Sequence, residues 1–176
     1  MDIAIPAWVD GTLTPVEKLD AHVRGLRHKA VSVFVFHNRK MLIQRRAMDK
    51  YHTPGLWANT CCTHPFWDEP PEVCATRRLG DELGLHDIQC DYRGQIEYRA
   101  DVGNDLIEHE VVDAYVAHLA EKPQIAPNPD EVMDFLWITY ADLVRRVDET
   151  PQDFTPWIKI YLQDFAQSIF LPDEIS

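Results

Sequence analysis

The sequence predicts an α/β fold carried by one domain, residues 1–176. Three observations lead there. Apolar runs with strand character alternate with segments of helical period along the whole chain. The length of 176 residues fits one domain, with no composition break, repeat or low-complexity tract. Hydrophobic residues make up 45% of the chain, enough to bury a core without disulfides or a structural metal.

The elements follow in order. Residues 3–9 (IAIPAWV) read as a short strand held to a sheet edge by Pro6. The β-branched and aromatic run 31–36 (VSVFVF) reads as a buried strand; His37-Asn38-Arg39-Lys40 turns the chain, and 41–46 returns as a hairpin. Residues 47–70 read as a long loop, a length that is usually functional. From Pro71 to Leu83 the period is helical, with Val73, Leu79 and Leu83 as apolar positions and Gly84 as a cap. Residues 91–99, 107–119 and 133–138 read as strands, and 140–147 and 156–170 as helices.

Charge excludes several functions. The chain carries 17 Lys+Arg against 29 Asp+Glu, a net −12, which opposes nucleic acid and anionic membrane surfaces. Residues 100–176 hold the whole excess; residues 1–99 are balanced, 13 acids to 13 bases, and could still grip an anionic substrate. No run of about 18 apolar residues predicts a membrane span. Met1–Pro6 has neither the cationic nor the apolar part of a secretory leader. Four cysteines, two of them adjacent (Cys61, Cys62), suit a reducing cytoplasm better than a disulfide framework.

Four groupings could carry chemistry. His22 and His28 are metal-ligand candidates, or two surface histidines before a strand. In an extended segment Cys62 and His64 share a face and Cys61 points elsewhere. That gives either a thiol made reactive by an imidazole or a metal, or a small buried thiol. Alternation along 107–111 puts Glu108 and Glu110 on one strand face, where they need a cation or a shared proton unless the face is solvated. Arg78 and Glu82 lie four apart on one helix face, the spacing of an ordinary ion pair. Taken together, three histidines and two carboxylates form a mixed N/O set suited to Mn²⁺, Zn²⁺ or Fe²⁺ more than Ca²⁺.

At these residues the chain resembles the type 1 isopentenyl-diphosphate Δ-isomerase family of the Nudix superfamily, from residue 15 to 160. The likeness rests on AHVRGLRHKAVSVFVF (21–36), LIQRRAMDKYHTPGLWANTCCTHP (42–65), RRLGDELGL (77–85), EYRAD (97–101), IEHEV (107–111), PDEVMDF (129–135) and TPW (155–157). The resemblance implies a Nudix-like α/β/α sandwich around a mixed β-sheet. It also implies interconversion of isopentenyl and dimethylallyl diphosphate, a small-molecule substrate, by a 1,3-proton shift; the sequence itself does not fix an oligomeric state, and a monomer is the working expectation. It assigns metal ligation to His22, His28, His64, Glu108 and Glu110, and Mg²⁺ at the diphosphate to Glu82. The further metal, at the His/Glu site, would be Mn²⁺ or Zn²⁺. It makes Cys62 and Glu110 the proton carriers, Tyr98 the partner of the glutamate, and Trp157 the face toward the cation. Lys18, Arg46, Lys50 and Arg78 would hold the diphosphate.

The Nudix pattern itself is degenerate. Aligned on Leu83-Gly84, it places Thr63 for its Gly, Glu69 for its first Glu and Arg77 for its Arg. Asp81-Glu82 stands for the later acidic pair, and Arg78 stands where a metal-binding Glu is expected. Losing that carboxylate disfavours the alternative of a Nudix pyrophosphohydrolase, and the added cation suits holding a diphosphate intact. A non-catalytic metal-binding relative is the other alternative.

Overall fold

The computed structural model describes residues 3–176. Met1 and Asp2, which open the segment read above as lacking a leader, lie outside the described residues. Strand β1 (Ala4–Val9) pairs antiparallel with β2 (Thr12–Glu17). Their Asp10-Gly11 turn has φ positive at both residues, the hairpin geometry that Asp-Gly favours. Helix α1 (Lys18–Val23) starts where the Glu17 carboxylate accepts from Leu19 N and Asp20 N, at 3.0 and 2.8 Å. The sequence reading assigned nothing between residues 10 and 30, so β2, α1 and the first residues of the next strand are additions.

Strand β3 (Arg27–His37) is the spine of a nine-stranded mixed sheet. It runs parallel to β8 (Ile107–His118) along 27–36. Its other edge takes β1 at His28, β6 (Cys61–Thr63) at 31–33 and β4 (Lys40–Arg46) at 35–37. β7 (Asp91–Asp101) pairs with β8, while β5 (Trp57–Ala58) and β9 (Val132–Thr139) pair with β4. The stretch 47–70 is therefore not one continuous loop. β5 and β6 interrupt it, and β6 makes the Cys62 segment extended.

Alternation sends β3 side chains to two layers. Val31, Val33 and Val35 meet Leu79 and Leu83 of α2 (Pro71–Leu83). Ala30, Phe34 and Phe36 meet α3 (Tyr140–Glu149) and α4 (Pro156–Asp164) on the opposite face. This is the expected α/β/α sandwich. Val73 does not belong to the buried stripe: it is exposed, and Cys74 and Ala75 take the core side of α2. The helix expected over 156–170 breaks at Phe165, where ψ of 3° ends α4 and α5 (Ala166–Ile169) begins afresh. Gly84 closes α2 in a left-handed conformation, and a Cβ there would come within 2.9 Å of Ala126. Ala126 N and Asn128 N donate to Leu83 O and Glu82 O, each at 2.9 Å, which fastens the 125–131 segment to the end of α2.

The acidic C-terminus is ordered and remote from the expected site. Glu174 is buried, with Arg93 2.7 Å and His118 2.6 Å away, at the far end of β8 from Glu110. Eight residues of strand at about 3.3 Å each separate them by roughly 26 Å.

Candidate active site

Register decides which side chains meet. Glu110 pairs with His28 on β3 and with Tyr98 on β7, and Ser32 pairs with Cys62 on β6. Cross-strand partners share a face, so His28, Glu108, Glu110, Tyr98 and Cys62 all project toward α4. Cys61 projects to the other layer, packed among the α2 residues. The expected division between Cys62 and Cys61 holds.

His22 and His28 are fully buried, not surface residues. His22 donates from Nδ1 to Lys18 O (2.6 Å), and His28 from Nδ1 to Leu26 O (2.7 Å). A carbonyl can only accept, so each ring keeps its proton on Nδ1 and presents a bare Nε2 lone pair. Both Nε2 atoms lack a partner, as does His64 Nδ1. Ligand atoms of His22, His28 and His64 lie within 4.8 Å of one another. Buried, mutually facing lone pairs oriented by backbone acceptors fit a divalent cation.

The carboxylates complete this set. Glu110 Oε1 lies 2.9 Å from His64 Nε2 and 3.8 Å from His28 Nε2. Tyr98 Oη lies 2.8 Å from Glu108 Oε2 and 2.7 Å from Glu110 Oε2. One phenolic proton cannot serve both contacts, so in this state one carboxyl is protonated and donates to Tyr98. Glu108 is that group: burial and the charge of Glu110 push it well above the usual carboxylate range. Burial also pushes Glu110 up, but the hydrogen bond from His64 Nε2 outweighs it and holds Glu110 well below that range. Burial, then the two glutamates, push Cys62 well up, so the thiol keeps its proton; Ser32 Oγ donates to it at 3.3 Å.

A cleft of about 460 Å³ opens over these groups. It is lined by Cys62, His64, Glu108, Glu110 and Trp157 at its base and by Lys18, Arg46, Lys50, Arg78 and Glu82 nearer the mouth. His22, His28 and Tyr98 stand behind that lining. Trp157 is 1% exposed and belongs to the core of its helix as well as to the cleft; the Arg46 guanidinium lies 5.2 Å from its ring centre. The Arg78–Glu82 pair is more than a surface contact. Glu82 is buried, with Oε1 2.6 Å from Arg78 and Oε2 accepting from Gln44 at 2.8 Å. Burial and then the neighbouring Lys50, Arg78 and Arg46 lower Lys18 to about 8, a sign of how much positive charge converges at the mouth.

Several residues at or behind the cleft carry no motif in the sequence. His52 Nε2 is 3.2 Å from Glu108 Oε1, and His52 forms a second potential cation group with His22 and Glu108. It sits beside Lys50 in Lys50-Tyr51-His52, the one signal that could have drawn notice. Tyr161, whose hydroxyl is 2.8 Å from Ser32 Oγ, falls inside the segment 156–170 read as a helix. Glu131 contacts Lys50 and lies 3.2 Å from Arg78.

A family model described as NUDIX domain matches residues 26–158. A Roseobacter denitrificans protein named isopentenyl-diphosphate Delta-isomerase is 62% identical over 170 residues, 97% of this chain and 97% of that protein. A Ruegeria pomeroyi protein of the same name is 58% identical over 175 residues, 99% and 97% of the two chains. Among solved structures, a Deinococcus radiodurans protein matches with a TM-score of 0.72 at 12% identity, over 96% of this chain and 99% of that one. A MutT NUDIX hydrolase from Burkholderia pseudomallei matches with a TM-score of 0.61 at 22% identity, over 79% and 98%. At those identities the structural likeness is one of fold.

Proposed function

The chain belongs to the NUDIX domain family and to its isopentenyl-diphosphate Delta-isomerases, and on that premise we propose which residues carry the reaction. The enzyme converts isopentenyl diphosphate to dimethylallyl diphosphate. The observation that carries the assignment of roles is the placement of Glu110 and Cys62 at the base of one cleft whose mouth is cationic.

Lys18, Arg46, Lys50 and Arg78 hold the diphosphate at the mouth, Arg as a fork and Lys as a point charge. That anchors the five-carbon chain pointing inward, between Glu110 and Cys62. Glu110 and Cys62 hold one transferable proton between them; the terminal alkene carbon takes it and becomes the new methyl, leaving a tertiary cation at the branched carbon. The member of the pair left without a proton then takes one from the neighbouring methylene, which forms the internal double bond and leaves one proton on the pair, so atoms and charge balance. Trp157, buried at the base of the cleft, presents an aromatic face to the cation and shields it from solvent.

His22, His28, His64, Glu108 and Glu110 would hold one divalent cation, Mn²⁺ or Zn²⁺, and Glu82 would hold Mg²⁺ with the diphosphate. The first of these would supply positive charge that makes a bound carboxyl a stronger acid. Tyr98 fixes both carboxylates from behind.

A single chain supplies every residue named, consistent with one domain over 1–176 acting as a monomer. Four unpaired cysteines support a cytoplasmic setting. No helix of the described residues is long and apolar enough to cross a membrane.

Incubation with isopentenyl diphosphate and Mg²⁺ in deuterated water tests the reading. Deuterium in the new methyl of dimethylallyl diphosphate is the expected result. Phosphate release without double-bond migration would sink it in favour of a hydrolase. Two variants test the parts. Arg78→Glu reverses charge beside Glu82 and is expected to raise KM for the diphosphate at least about tenfold; an unchanged KM would remove Arg78 from the grip. Cys61→Ala trims a buried thiol on the far layer. It is expected to cost about 1 kcal/mol of stability and leave turnover within a few-fold of wild type; loss of turnover would reverse the facing of the two cysteines.

A further inference from the structure

The cationic mouth contains a carboxylate that the roles above leave unused. Glu131 lies against Lys50 and 3.2 Å from Arg78, two of the four groups assigned to the diphosphate. Its backbone is fixed: Ala47 N donates to Glu131 O at 2.9 Å, and Glu131 N donates to Asn128 O at 3.0 Å. The 125–131 segment that carries it is itself fastened to the end of α2, the helix of Arg78 and Glu82. The position is therefore built into the site, and only the side chain is free to move.

Glu131 and Glu82 both touch Arg78 but differ in exposure. Glu82 is 5% exposed in its side chain and has both oxygens engaged by Arg78 and Gln44. Glu131 is 22% exposed and lines both the cleft and an adjoining surface cavity of about 430 Å³. Rotation of its side chain can carry the carboxylate from one to the other without moving the backbone. Diphosphate brings several negative charges to the same two cations, and a carboxylate left beside them would be repelled.

We propose that Glu131 is an internal competitor for the diphosphate site. Its carboxylate occupies Lys50 and Arg78 when the site is empty and gives them up to substrate. It thereby sets the affinity for substrate and product alike. This inference rests on the diphosphate grip proposed above. Its sign separates it from a merely structural role. A competitor, once neutralised, leaves binding tighter; a brace that only holds the two cations in place leaves it weaker.

The test is inhibition of the intact enzyme by inorganic pyrophosphate with Mg²⁺, comparing wild type with Glu131→Gln, Glu131→Ala, Lys50→Ala and Arg78→Ala. Glu131→Gln and Glu131→Ala are expected to lower the inhibition constant, the Gln variant by about tenfold, equivalent to about 1.4 kcal/mol. KM for isopentenyl diphosphate should fall in parallel. Lys50→Ala and Arg78→Ala are expected to raise the inhibition constant. An unchanged or raised constant in folded Glu131 variants, with the cation variants behaving as expected, would overturn the competitor and leave the grip standing. Cation variants that bind pyrophosphate as wild type does would overturn both.

Discussion

A Cys62→Ala variant is expected to fold normally and to lose about 10³-fold in kcat, with KM for isopentenyl diphosphate within a few-fold of wild type. The fold should survive because Cys62 is only half-buried, on the short strand β6, and its contacts are the Ser32 hydroxyl at 3.3 Å and the Tyr161 hydroxyl at 3.9 Å. After truncation those two hydroxyls still bond each other at 2.8 Å, so no buried donor is stranded. KM should hold because the groups assigned to the diphosphate lie at the mouth, away from the thiol. Turnover should collapse because removing a positioned proton carrier costs about 10²–10⁴-fold, and no other thiol faces the α4 side here. Cys61, its neighbour in sequence, belongs to the opposite layer. Steady-state kinetics with thermal melts would check this. A folded Cys62→Ala enzyme retaining a tenth or more of wild-type turnover would take the thiol out of the reaction.

The strands and helices that were legible in the sequence were those with a strong period and long run. β3, β4, β7, β8, β9, α2 and α3 follow patterns that local burial dictates. What escaped was set by chemistry over shorter stretches. β1 was legible as the run 3–9, but its partner β2 announces itself only through Asp10-Gly11, and α1 only through a Glu17 cap, because six residues carry too little periodicity to register. The break at Phe165 is invisible in the apolar spacing, which continues across it. In the site, pairs on one element were readable: Glu108 with Glu110 and Cys62 with His64 follow from strand alternation alone. Partners that meet across elements were not. His52 comes from an irregular stretch and reaches Glu108 only because β4 and β8 both flank β3. Glu131 reaches Lys50 and Arg78 only because Gly84 admits Ala126 against the end of α2. The charge reading was sharpened in the same way. The net −12 leaves the mouth cationic, and the C-terminal acid Glu174 is spent on Arg93 and His118 at the far end of the sheet.

Stripping divalent cations is expected to lower the melting temperature sharply, and restoring Mn²⁺ or Zn²⁺ to recover it. Without a cation, the base of the cleft holds unpartnered lone pairs on His22, His28 and His64 and two buried carboxyls joined through one phenol. Each is a cost of folding that a bound cation removes. A ligand that binds only the folded state at about 1,000 times its Kd stabilises by about 4 kcal/mol. For a domain of this size each kcal/mol moves the midpoint by about 2–4 °C, so a rise on the order of 10 °C is expected. His64→Ala removes one donor and should cut the rise. Glu108→Gln keeps the side-chain shape and, like the protonated carboxyl, a donor for Tyr98, but it cannot ionise to ligate a cation. It should therefore melt close to the cation-free wild type and gain little from added cation. The pair of variants separates a specific site from general ionic stabilisation. A rise that persisted in both would mean the cation binds elsewhere, and these buried histidines would need another explanation. Activity is expected to follow the same titration as the melts, because Glu110 serves both as a donor to the cation and as the group facing the alkene.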